Sequence, residues 1–222
     1  PLTQTLVETL TDTITGASFT TTHTGINLAG TLGESCFVGF TGGDGGATSI
    51  QTISNFTLAT DQVTPWSPAT TTLTLNGFSN FTGVNTTLAT GGGTATLTNG
   101  NANTASAAWK NTPLDLVNGF AIGFVYQAAG NRAGDGIACV FQTAGLNAVG
   151  QAGGGLGSVG IPGNTTAYEM NIFSTVGVGT SFVTTNTSGT YSSTGAVNIA
   201  SGDPIQVQLV YNPLQQVLVE TL

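Results

Sequence analysis

Apolar side chains recur at every second residue along this chain, and hardly anywhere at the spacing of a helix face. Within 120–127 the residues Phe120, Ile122, Phe124 and Tyr126 alternate with smaller or polar neighbours. Ile205, Val207, Leu209 and Tyr211 do the same opposite Gln206 and Gln208, as do Ile137, Cys139 and Phe141, and Cys36, Val38 and Phe40. A period of two puts each set on one face of a β-strand. Leu2, Leu6 and Leu10 have helical spacing, but the interleaved β-branched threonines predict a strand there too. Turn-forming clusters separate the runs: residues 42–46 (Gly-Gly-Asp-Gly-Gly), 91–93 (three glycines), Asn99-Gly100-Asn101, Gly153-Gly154-Gly155 and Tyr211-Asn212-Pro213. Short strands divided by turns at this density predict an all-β sandwich or barrel.

The charge balance narrows the partners. Lys110 and Arg132 are the only Lys or Arg, set against ten carboxylates for a net charge of −8. Binding a nucleic-acid backbone needs several cations, as does attraction to anionic lipid, so the sequence predicts neither partner. No apolar run reaches the roughly 20 residues of a membrane-spanning helix, and no membrane insertion is predicted. The chain is nonetheless 39% hydrophobic with aromatics spread along it, which separates it from a disordered Thr/Gly/Ser linker. With 5% charged residues, solubility must rest on hydroxyls and amides. Asn55, Asn80, Asn85, Asn164 and Asn186 each begin an N-x-S/T sequence, either glycan acceptors or chance in a chain rich in Asn and Thr. The composition predicts an extracellular or cell-surface protein.

The two ends repeat each other. Residues 1–10 read Pro-Leu-Thr-Gln-Thr-Leu-Val-Glu-Thr-Leu, and residues 213–222 read Pro-Leu-Gln-Gln-Val-Leu-Val-Glu-Thr-Leu. They differ at two positions only. A tandem array with a period of 212 residues accounts for this; convergence of two amphipathic strands is the other explanation.

Several segments, taken in order, resemble L-type (legume-like) lectins. They are 134–142 (Gly-Asp-Gly-Ile-Ala-Cys-Val-Phe-Gln), the glycine-rich 153–157, and 167–173 (Ala-Tyr-Glu-Met-Asn-Ile-Phe). Asn76-Gly77-Phe78 and residues 105–109 (Ala-Ser-Ala-Ala-Trp) look like the opening strands of that family, while 37–43 and Ile53-Ser54-Asn55-Phe56 look like its closing strands. The resemblance covers most of the chain in rotated order, with 205–222 similar to the family's preceding hairpin. It implies a jelly-roll β-sandwich of concanavalin type, with closing strands in 1–60 and opening and central strands in 61–222, together one domain's worth of sandwich.

The same resemblance implies candidate site residues. Asp135 matches the sugar-contacting aspartate, with Gly154, Gly155, Gly43 and Asp44 beside it. A carboxylate there would accept sugar hydroxyls while glycine backbone comes close enough to donate; capping a turn is the other role open to Asp135. The family's transition-metal and Ca²⁺ site maps onto Glu169 and Asn171. Asn171 replaces a carboxylate, and 175–184 holds neither His nor carboxylate, so the expectation is no cofactor, with Ca²⁺ at the family site the alternative. Cys36 and Cys139 are either a disulfide between strands or two buried thiols. His23 is the only histidine, and the sequence builds no triad or His metal cluster around it; the partners of Glu169 in a glycosidase arrangement would be Asn171 and Ser174, which cannot serve. The expected function is a non-catalytic structural subunit that self-associates with neighbouring repeats or subunits; a glycan-binding module is the alternative.

Overall fold

The computed structural model describes residues 4–60, 80–88 and 93–213. In chain order the strands are β1 (Thr5–Asp12), β2 (Ser18–Thr24), β3 (Ser35–Asp44), β4 (Ile50–Thr60), β5 (Phe81–Val84), β6 (Thr87–Leu88) and β7 (Thr94–Asn99). They continue with β8 (Thr104–Lys110), β9 (Leu114–Asp115), β10 (Phe120–Ala129), β11 (Gly136–Gln142), β12 (Thr165–Asn171), β13 (Gly179–Val183) and β14 (Ile205–Asn212). One short helix, α1 (Leu28–Leu32), is capped by Asn27, whose Oδ1 accepts from the Gly30 amide at 2.7 Å. Among the described residues no helix is long and apolar enough to cross a membrane.

The strands make two antiparallel sheets. One runs β2-β1-β14-β10-β4-β7-β6, and the other β13-β12-β11-β3-β8-β5 with β9 against the start of β3. The alternation expected from sequence sets the facing. In β10 the even-numbered residues Phe120 to Ala128 are buried, and in β1 Leu6, Glu8, Leu10 and Asp12 are buried while their neighbours are half exposed. These inward rows meet those of β3, β11 and β12 in one core, which makes the fold a β-sandwich. Phe40 of β3 meets Phe56 of β4 and Phe124 of β10 edge-on, with ring centres 5.6 and 4.9 Å apart. Such edge-to-face pairs add to the stabilisation from area burial.

Both faces of β11 and β12 are buried. The second, outer face carries a smaller cluster: Ala107, Trp109, Ala138, Val140 and Ala167, roofed by Ala148 and Ile161 from the long connection after β11. Trp109 anchors that roof by donating its indole N–H to the Ala148 carbonyl at 2.7 Å. The sheet containing β11 and β12 therefore supports a structured loop as well as the core.

Strands from 4–60 enter both sheets: β3 lies between β11 and β8, and β4 lies between β10 and β7. Two turn expectations need correction. Gly42, Gly43 and Asp44 are the last residues of β3, so the turn begins at Gly45. Tyr211 and Asn212 remain in β14, where they pair with Leu6 and Thr5 of β1. Expectations placed on Leu2, on Asn76, Gly77 and Phe78, on Gly91 and Gly92, and on 214–222 lie outside the described residues.

Of the two states open to the cysteines, the fold contains the thiols. Cys36 and Cys139 are both free and buried. Cys139 pairs across the ladder with Phe40, four residues along β3 from Cys36. At about 3.3 Å per residue that is roughly 13 Å along the strand, well beyond the ~7 Å Cα separation a disulfide tolerates. Burial pushes the Cys36 thiol up to about 12 and raises Cys139 further, so neither is a ready nucleophile. Alkylation under denaturing conditions without reductant should add two alkyl groups by intact mass; an unmodified protein would mean a bridge and a different register.

Candidate functional site

Three segments converge where β3 ends and β11 begins. Gly43 pairs with Gly136, and Asp135 stands just before it. The Asp135 amide donates to the Gly43 carbonyl at 3.2 Å, and its own carbonyl accepts from Ile172 at 2.8 Å. The Gly134–Asp135 peptide bond is cis. The Asp135 side chain then closes the turn after β3: its Oδ1 accepts from the Gly45 amide at 2.5 Å. The third segment is the 3-10 turn Gly153–Gly155. A Cβ on Gly43 would lie 2.9 Å from the Gly153 carbonyl oxygen, so only glycine lets this turn come so close to β3. A Cβ on Gly154 would meet nothing within 4 Å, which leaves that residue facing open space.

Asp135, Gly43, Gly154 and Gly155 are thus brought into one region. Asp44 is not presented there. It is buried, and its carboxylate accepts from the Ser49 amide at 3.3 Å and from Gln51 Nε2 at 3.4 Å. Gln51 Nε2 also donates to Thr98 Oγ1, and its Oε1 accepts from Tyr126 at 3.2 Å. Thr98 donates to the Ser49 carbonyl, and Ser49 Oγ donates to the Gly134 carbonyl, both at 2.8 Å. This chain of bonds ties the loop after β3 to the residue before Asp135. Burial pushes the Asp44 carboxyl up to about 6, with the nearby Asp135 charge adding to the rise.

Glu169 and Asn171 share the outer face of β12, as a two-residue spacing requires. Both are buried. Glu169 Oε2 accepts from the Gly189 amide at 2.9 Å, and Asn171 Nδ2 donates to the carbonyls of Phe173 (3.0 Å) and Gly177 (2.6 Å). Their other oxygens, Glu169 Oε1 and Asn171 Oδ1, and Tyr191 Oη make no hydrogen bond of good geometry, although the Tyr191 hydroxyl lies close enough to Glu169 to interact with its carboxyl. Tyr191 lies near enough to Glu169 and Asp135 for both charges to raise its pKa beyond what burial does. Burial likewise raises the carboxyls of Glu169 and Asp135.

This donor set does not fit Ca²⁺, which takes six to eight oxygens with several charges among them. Glu169 offers one carboxylate, Asn171 a neutral amide oxygen and Tyr191 a phenol. Among the described residues no three His, Cys, Asp or Glu gather into a group. The arrangement can satisfy a polar molecule or a water; it does not supply the charge a divalent ion needs.

Sequence reasoning missed Glu8. It is buried in the middle of the apolar inward row of β1, where Tyr168 of the opposite sheet donates to its Oε1 at 2.9 Å and His23 Nε2 lies 3.2 Å from its Oε2. The signal was available: Glu8 has the same parity as Leu6 and Leu10, so the strand that buries them buries it. Tyr191 and Gly189 had no such signal, since neither lies in a periodic run. Compared with family models, curated proteins and solved structures, the chain matches none.

Two outcomes follow for stability. Asp44 holds its proton more tightly folded than unfolded, so the folded state binds more protons between pH ~4 and ~6, and stability falls as pH rises through that window. Asp44→Asn should flatten the decline by on the order of 2–3 kcal/mol, measured by urea unfolding at pH 4 and pH 7. An unchanged pH slope would mean that Asp44 is not the group responsible. Second, Ca²⁺ and EDTA should each leave the melting temperature where it is. A rise of several degrees with Ca²⁺, reversed by EDTA, would show that further oxygens complete a site around Glu169.

Proposed function

We propose that this chain is a non-catalytic, extracellular unit of lectin-like jelly-roll type that associates with copies of itself as a structural subunit. The supporting observation is β2, which forms one edge of its sheet among the described residues. β2 has the sequence Ser-Phe-Thr-Thr-Thr-His-Thr, with Ser18, Thr20, Thr22 and Thr24 exposed. Its register with β1 runs unbroken from Ser18 to Thr24, without a bulge. Edge strands are ordinarily protected from further pairing by lysine, proline, bulges or a covering loop. β2 has no lysine or proline, and β1 is its one strand partner among the described residues. An unbulged, threonine-rich edge without lysine is suited to adding a strand from another chain.

A glycan-binding role is the second reading, supported by the convergence of Asp135 with the loops around Gly43 and Gly154. Weighing against it, Asp135 Oδ1 is already engaged by Gly45, and the residue is buried. The two readings separate experimentally. Sedimentation and electron microscopy over a concentration series should show growth into oligomers or filaments, lost in a Thr20→Lys/Thr22→Lys variant. A monomer at every concentration would sink the structural reading. Binding to a glycan array that disappears in Asp135→Asn would establish the second.

A further inference from the structure

The place occupied by β1 beside β14 has a second claimant in the same chain. We infer that residues 217–222 can fold back on β14 as a hairpin and take the position of β1, so that one strand slot is served by two interchangeable segments.

The first support is register. Each residue of the N-terminal copy corresponds to the residue 212 positions later, so Thr5 corresponds to Val217 and Leu10 to Leu222. Thr5 pairs with Asn212, Leu6 with Tyr211 and Leu10 with Val207. If 217–222 adopted the same pairs, Val217 would lie opposite Asn212 and residues 213–216 would be the connection. Four residues, opening with Pro213, are an ordinary length for a hairpin loop. The repeat spacing and the observed register are independent quantities, and they agree on a closable loop. A shift of several residues in either would have left a loop too short or too long.

The second support is which positions are kept. The inward residues of β1 within the repeat are Leu6, Glu8 and Leu10, and all three recur as Leu218, Glu220 and Leu222. Within the described part of β1 the single change is Thr5 to Val217, at a half-exposed position. The recurrence of Glu8 is the most telling. A carboxylate among leucines is costly to bury unless partners await it. Those partners, Tyr168 Oη and the His23 ring, belong to β12 and β2, not to β1. They would receive Glu220 as they receive Glu8. A segment unrelated to this slot has no physical reason to carry glutamate at that step of its alternation.

Occupation by 217–222 would make the chain a permuted form of the same sandwich and release 1–10, an amphipathic strand of matching design, to a neighbouring copy. The inference therefore deepens the self-association reading, but slot occupancy in a single chain can be tested without it.

Four chains decide the matter, compared by thermal melting at a dilution where sizing shows monomers: the full chain, one lacking 1–10, one lacking 213–222, and one lacking both. Either single deletion should melt within a few degrees of the full chain. The double deletion should lose its cooperative transition or melt at least about ten degrees lower. Glu220→Lys should be silent in the full chain and damaging in the chain lacking 1–10. If removing 1–10 alone is as harmful as removing both segments, or if all four melt alike, the inference is wrong. Rescue found only in a dimer would overturn the same-chain hairpin. Loss of concentration-dependent growth with the melting pattern intact would instead discard the assembly reading and leave this one standing.

Discussion

Everything in this fold rests on two sheets pressing their inward rows together without help from surface charge. A chain with two basic side chains cannot stitch itself together with ion pairs, so its cohesion comes from apolar burial and ring contacts between sheets. Phe40, Phe56 and Phe124 meet edge-on between the sheets, one from β3 and two from β4 and β10 of the opposite sheet. Close packing of this kind leaves little freedom in register. A one-residue slip would send each inward row to solvent.

The scarcity of charge also changes what the carboxylates do. Among the described residues Glu8, Asp12, Asp44, Asp135 and Glu169 are buried. Each accepts hydrogen bonds within the fold. Asp12 takes the amides of Ile14 and Thr15 to close the β1–β2 turn, and those bonds hold its carboxyl below the usual range. Glu8 spans the sandwich to Tyr168. Asp44 and Asp135 hold the loop after β3, and Glu169 holds Gly189. Burial outweighs those bonds for Asp44, Asp135 and Glu169 and favours their protonated forms, so their net contribution to stability falls as pH rises.

This network bears on the candidate site. The convergence of the Gly45 turn, Asp135 and the 3-10 turn at Gly153 is held by the protein's own amides and hydroxyls, from Ser49 to Gly134 and from Gly45 to Asp135. No ion is required to explain the shape. The same bonds consume acceptors that a sugar would otherwise use, which is why the β2 edge carries more of the functional argument than the loop cluster does.

Fold class and the identity of the inward rows are written in the alternation of side chains, because a period of two leaves no choice about which of them share a face. Phe120 to Tyr126, Ile205 to Tyr211 and Ile137 to Phe141 were legible for that reason, and Glu8 was legible in principle by the same parity. The repeat between 1–10 and 213–222 was equally plain as text. Tertiary structure alone decided what alternation cannot encode: which strand lies beside which, and by how many residues they are offset. Register placed Cys36 too far from Cys139 for a bridge, turned Asp44 inward toward Ser49 and Gln51, and set Thr5 opposite Asn212. Those relations depend on hydrogen bonds between segments up to two hundred residues apart, and no local pattern carries the distance between them.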